Sequence, residues 1–197
     1  MPCPVACRFL IRERVHSGLA AVRQTWHKLV MTNSCTLRLT STSPEQTAAI
    51  AVRLGAGLGA GDVVLLSGPV GAGKSLFARA LIQSRLAALD RFEDVPSPSF
   101  TLVQTYDLDI VELWHADLYR LTDPHDVLEL GLDQAFEEAI CLVEWPERLG
   151  AFQPASALHL TLQTTDDPAF RALHFSAVDP RWTGLLSKLA HSQHGPT

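Results

Sequence analysis

Apolar and polar positions change period several times along the chain, and each change marks an element. Val63 to Leu66 is a short unbroken apolar run closed by Ser67, the pattern of a buried β-strand. From Leu76 to Leu89 the apolar positions Leu76, Phe77, Ala80, Leu81, Ile82 and Leu86 follow helical spacing. Upstream, Ser43 suits a helix cap, Pro44 suits the first helical position, and Gln46 follows the cap as in a capping box. That helix is predicted to run to about Leu58, ending among Gly55, Gly57 and Gly59. Pro96 and Pro98 exclude helix between Asp94 and Thr101 and favour an extended loop.

The second half repeats this alternation. Thr101 to Leu108 and Val111 to His115 are predicted as paired strands joined by a turn around Asp109. Asp123 and Pro124 open a helical region that breaks at Gly131 and ends near Glu138. Ile140 to Val143 is a continuous apolar run, as expected of a central strand covered on both faces. Leu158 to Gln163 and Arg171 to Ala177 form a terminal strand pair, Trp182 to Ala190 a last amphipathic helix, and no internal repeat appears.

Between the first strand and its helix stands Gly68 to Ser75, GPVGAGKS, which meets the pattern G-x-x-x-x-G-K-[ST] at every required position. Gly68, Gly71 and Gly73 allow backbone conformations closed to residues with a Cβ, so that N–H groups can turn inward around an anion. The helix beginning near Lys74 adds its N-terminal partial positive charge. Lys74 is expected to reach the β- and γ-phosphates of a nucleoside triphosphate, and the Ser75 hydroxyl to ligate Mg²⁺. Gly68, Gly71, Ala72, Gly73, Lys74, Ser75 and Leu76 are therefore the expected nucleotide-binding residues.

Composition narrows the class without naming a chemistry. A hydrophobic fraction of 47% and a charged fraction of 19% are ordinary for a globular domain, and Arg53, Asp62 and Lys74 interrupt the most apolar region, so no membrane span is expected. Cys3, Cys7, Cys35 and Cys141 show no C-x-x-C pair or zinc spacing, which fits a reducing cytoplasm. Arg8, Arg12, Arg14, Arg23 and Lys28 face the single acid Glu13 in residues 1–30, leaving the remainder more acidic than the net charge of −5. The core is thus no generic nucleic-acid binder. Residues 1–34 are set apart as a basic N-terminal extension: disordered, a targeting segment or basic arm, or sequence upstream of a true start at Met31. Residues 35–190 are expected to form a single domain, and 191–197 a flexible tail.

Two acids stand at the ends of apolar runs: Asp117, after Trp114, His115 and Ala116, and Glu144, after Ile140 to Val143. Either suits holding Mg²⁺, directly or through water, or orienting an attacking water. His115 lies two residues before Asp117, so on an extended segment both face the same side, and His115 is expected to support Asp117 rather than to catalyse.

Four segments in order, Gly68 to Ser75, Ser97 to Val103 (SPSFTLV), His115 to Leu121 (HADLYRL) and Leu142 to Glu147 (LVEWPE), resemble the TsaE (YjeE) family over roughly residues 36–178. The resemblance implies an α/β, P-loop NTPase-like three-layer fold with a mixed central sheet flanked by helices. It also implies an ATPase, weak alone, that acts with the TsaD and TsaB proteins in threonylcarbamoyladenosine modification at position 37 of tRNAs reading ANN codons. It would meet tRNA indirectly, through that complex. By motif, Ser75 and Glu144 would ligate Mg²⁺, Lys74 would bind phosphate, Asp117 would be the catalytic carboxylate, and Ser97 to Thr101 would be a nucleotide-sensing switch. Glu45 falls, by a loose match, where such proteins touch the nucleotide. Pro69 stands where many relatives carry an acid, and Ser75 and Ser99 where threonine is usual.

Three rivals bear comparison. A GTPase would carry an Asn-Lys-x-Asp guanine motif, but Asn33 is the only asparagine. A small-molecule kinase shares the phosphate loop and an acidic base, yet between Glu144 and the final helix only Arg148, Arg171 and Arg181 could furnish an Arg-rich lid. The third is a nucleotide-gated binding module, in which ATP orders the 95–101 loop and hydrolysis is incidental.

Overall fold

Successive side chains of the central strands enter two different cores, because residues along a strand alternate between the faces of its sheet. Val64 and Leu66 of β2 (Val63–Ser67) and Leu142 of β5 (Ile140–Glu144) join one apolar cluster, while Val63, Leu65, Cys141 and Val143 join the other. The computed structural model describes residues 34–167 and 169–191. The basic extension up to residue 33, the alternative start at Met31 and the tail from residue 192 lie outside the described residues.

The other strands are β1 (Cys35–Ser41), β3 (Val103–Asp107), β4 (Glu112–Asp117), β6 (Leu158–Thr164) and β7 (Arg171–Ala177). They form one seven-stranded sheet in the order β1-β7-β6-β2-β5-β4-β3. The middle is parallel (β6 with β2, β2 with β5, β5 with β4), and each edge is closed by antiparallel pairs. The sheet is therefore mixed, as expected.

One face carries α1 (Pro44–Gly55), α2 (Lys74–Ala87) and α5 (Trp182–His191), which contribute Ile50, Leu54, Phe77, Leu81, Trp182 and Leu186 to the first cluster. The other face carries α3 (Asp126–Glu129), α4 (Leu132–Glu138) and a 3-10 helix (Pro146–Phe152), with Val127, Leu132, Phe136 and Leu149 in the second. Each fully buried Leu, Ile or Phe contributes about 1.5–3 kcal/mol. Helix, sheet and helix thus make three layers, with the phosphate loop where β2 meets α2.

Local signals behaved as physics requires, with shifts at the ends. Ser43 caps α1, its hydroxyl accepting from the Gln46 amide at 3.2 Å, but the Gln46 side chain returns to the Thr42 amide (2.6 Å) rather than to Ser43 itself. α1 stops at Gly55, and α2 begins at Lys74 and ends at Ala87. Gly131, at φ 71°, separates α3 from α4. β4 extends to Asp117, so that carboxylate sits on the strand itself. β1 and the 3-10 helix had no counterpart in the sequence reading. β1 is an edge strand whose only partner among the described residues, β7, lies far along the chain, so its pairing is a long-range fact.

Candidate functional site

The parallel strands β2, β4 and β5 end side by side, the place where open α/β sheets present ligand-binding groups. From β2 the chain enters the loop Gly68 to Gly73, and α2 starts directly behind it. Gly68 takes φ +135°, and a Cβ there would meet the Leu162 carbonyl oxygen at 2.2 Å, so only glycine fits. Gly71 also has positive φ, +79°, but a Cβ would meet nothing within 4 Å. The loop is therefore pinned against β6 at its start and open at its crest.

Three charged side chains converge there almost out of solvent: Lys74, Asp117 and Glu144 are 4%, 5% and 2% exposed. The Lys74 ammonium donates to the carbonyls of Gly68 (2.7 Å) and Pro69 (2.9 Å), and the Trp145 ring lies 3.9 Å from it. Burial pushes the Lys74 amine below the ordinary lysine value, and Glu144, Asp117 and Glu147 pull it partly back. Trp145 occupies the left-handed region at φ 60°, a conformation a bulky residue adopts only when its surroundings impose it. Its amide donates to the Leu66 carbonyl at 3.3 Å, and its ring leans on Tyr119 at 4.9 Å.

Glu144 uses its two oxygens differently. Oε2 accepts from the Ser75 hydroxyl at 3.0 Å, while Oε1 lies 3.1 Å from His115 Nε2. Asp117 faces the loop that precedes β3: its Oδ2 accepts from the Ser97 hydroxyl at 3.2 Å and its Oδ1 from the Tyr119 amide at 3.2 Å. The Asp117 amide donates to the Leu102 carbonyl at 2.9 Å, and the Leu102 amide to Pro98 at 2.7 Å. Ser97 to Leu102 is thereby fastened to the end of β4. His115, expected to support Asp117, bonds across to β5 and Glu144 instead.

Beside the phosphate loop a cavity of about 200 Å³ is lined mainly by apolar atoms of Pro44, Ala72, Leu76 and Ala169, with Ser43, Thr47 and Arg171 adding polar groups. Gly71, Ala72, Gly73 and Leu76 of the expected nucleotide set line it; Glu45 does not, and lies exposed at the start of α1. Hydrogen bonds from Ser43, first among them, and from its own amide hold the Glu45 carboxyl below its usual value. Arg171, weighed in the sequence only as a lid residue, donates to Ala72 O (3.1 Å) and braces the loop from β7. Thr47 and Ala169 were missed because nothing in their local sequence marks them.

The donor set fits a hydrated divalent cation. Among the described residues no three His, Cys, Asp or Glu side chains gather as a cage. Mg²⁺, however, keeps several waters and takes only one or two carboxylates, and the Ser75 hydroxyl and Glu144 carboxylate are already held together at 3.0 Å.

Comparison with known proteins adds four findings. The model of the family described as "Threonylcarbamoyl adenosine biosynthesis protein TsaE" matches residues 41–172. The chain is 33% identical over 155 residues to the tRNA threonylcarbamoyladenosine biosynthesis protein TsaE of Bacillus subtilis, covering 78% of this chain and 94% of that one. It is 34% identical over 125 residues to the protein of that name from Rickettsia bellii, covering 64% and 85%. The crystal structure of YdiB from Bacillus subtilis superposes with a TM-score of 0.66 at 29% identity, over 82% of this chain and 98% of that one.

Proposed function

The chain belongs to the TsaE family, and from that premise we propose that it is the Mg²⁺-dependent ATPase of tRNA threonylcarbamoyladenosine synthesis, acting with TsaD and TsaB. The observation that carries this reading is the Ser75 to Glu144 hydrogen bond at the foot of the phosphate loop, with Lys74 and Asp117 buried beside it.

Each residue has a role that its surroundings support. Gly68 to Gly73 cradle the triphosphate with backbone N–H groups. Lys74 exchanges its bonds to Gly68 and Pro69 for phosphate oxygens, which costs little because it gives up two carbonyls for charged acceptors. Ser75 and Glu144 would hold the metal, which when bound would neutralise charge on the triphosphate. Asp117 orients and deprotonates the attacking water. The apolar cavity beside Gly71 to Gly73 receives the base and ribose.

The Ser97 to Asp117 bond supports a coupling of nucleotide state to the 97–102 loop, and hence to the partner proteins. tRNA is met through that complex. Cys35 and Cys141 are free thiols, in keeping with work in the cytoplasm, and no described helix is long and apolar enough to cross a membrane.

The test is modification of tRNA by the reconstituted partner proteins with Asp117→Ala or Glu144→Ala. Variants that bind ATP but stall after a first round support a hydrolytic role. Full multiple-turnover modification would replace it with a nucleotide-gated binding module. Failure to recover a complex with TsaD and TsaB in the presence of ATP would remove the partnership.

A further inference from the structure

We infer that His115 is a positioning residue for Glu144, holding one carboxylate oxygen so that the other stays turned to the Ser75 hydroxyl, and that this contact sets the divalent-metal affinity of the site. The inference rests on the proposed assignment of Ser75 and Glu144 as metal ligands.

His115 and Glu144 are 1% and 2% exposed, and Nε2 and Oε1 are 3.1 Å apart. A carboxylate taken out of water needs donors on its lone pairs, and Glu144 has Ser75 on one oxygen and His115 on the other. The carboxylate offers only acceptors, so the Nε2 nitrogen carries the proton and donates. Nδ1 is the buried side-chain nitrogen or oxygen without a hydrogen-bond partner among the described residues. Burying an imidazole with one nitrogen unsatisfied is costly compared with an apolar residue of similar size. A side chain needed only to fill space would avoid that cost.

Strand geometry makes the contact possible. His115 stands opposite Leu142 on the neighbouring strand, two residues before Glu144, and Asp117 stands opposite Glu144. The ring reaches diagonally across to β5, over a separation that long side chains span. Groups behind metal ligands act in this way: they fix ligand orientation, and removing them weakens metal affinity about 10- to 100-fold.

The test titrates Mg²⁺ into the full chain in the presence of a fluorescent, non-hydrolysable ATP analogue. His115→Met removes the donor at similar volume and is expected to raise the Mg²⁺ concentration for half-maximal effect about 10-fold or more, with analogue affinity in EDTA unchanged. His115→Gln can place an amide N–H near the Nε2 position and is expected to return it to within about threefold of wild type. A Met variant with the wild-type requirement, or a Gln variant as impaired as Met, overturns the inference. Should the Met variant not fold by circular dichroism, His115→Asn, whose amide is too short to reach Glu144, takes its place with the same two outcomes. Wild-type protein whose analogue binding ignores Mg²⁺ would instead overturn the metal assignment itself, and the role of His115 with it.

Discussion

Asp117 and Glu144 stand opposite each other in register at the ends of the adjacent parallel strands β4 and β5, and both are buried. They nevertheless serve different neighbours. Glu144 bonds to Ser75 at the start of α2, whereas Asp117 bonds to Ser97 and the Tyr119 amide on the side of the loop before β3. Two like acids on one sheet edge are thus set to separate tasks by what each touches.

Replacing each acid by its amide should expose that division. Asp117→Asn is expected to retain binding of an ATP analogue within about threefold while lowering turnover by about 100-fold or more, the loss usual for a missing general base. Glu144→Gln is expected to raise the Mg²⁺ needed for analogue binding. Parallel titrations and phosphate-release assays decide; identical losses in both variants would show that the two acids act as one site.

Lys74→Ala should abolish ATP binding in a calorimetric titration by removing the countercharge to phosphate. The free protein adds a pH signature. Burial lowers the Lys74 value from the ordinary 10.5, so the folded chain loses this proton before the unfolded chain does. Between the two values the unfolded chain binds more protons, and this group's contribution to stability rises with pH. Nucleotide affinity should move the other way, starting to fall on the alkaline side below pH 10.5.

Gly68→Ala and Gly71→Ala should differ in kind. At Gly71 a methyl meets open space and the cost is the left-handed conformation alone, about 1–2 kcal/mol. At Gly68 it meets the Leu162 carbonyl oxygen at 2.2 Å, so β6 or the loop must shift. Chemical denaturation should find Gly68→Ala the less stable variant, with the greater loss of nucleotide affinity.

Cys141 should resist alkylation in the native protein. Its thiol is buried against the Ala135 carbonyl, and burial pushes it up to about 12. A raised folded value gives stability that is fully present below the unfolded value of 9.0 and is lost as pH rises towards about 12. Mass spectrometry after iodoacetamide at pH 8 should find Cys141 modified only once the chain is unfolded, and Cys141→Ala should flatten the alkaline decline in stability.

A chain beginning at Met31 should keep ATPase activity and partner binding, since every residue assigned to the site lies from Ser43 onward. Loss of either would give residues 1–30 a function.

Much of the fold could be read from spacing. The caps at Ser43 and Pro44, the strand–loop–helix around Gly68 to Ser75, the doubly buried β5 and the β6–β7 pair depend on neighbours within a few residues or on local composition. β1 escaped because a half-exposed edge strand becomes a strand by pairing with β7, and strand preference depends on context. Ala169 and Thr47 escaped likewise, since only folding brings them beside Gly71.

The sequence by itself determined which groups could do chemistry: a glycine loop that can bend around an anion, a lysine and a hydroxyl behind it, and acids at the ends of two apolar runs. Only the tertiary structure decided how they are shared. His115 and Asp117 lie two apart and face one side, which local periodicity makes plain, but the partner of His115 follows from which strand lies alongside β4. Because β5 lies there in parallel, with Asp117 level with Glu144, the ring meets Glu144 and Asp117 is left to the Ser97 loop. Register between strands is set by packing of the whole sheet, and no short window of residues contains it.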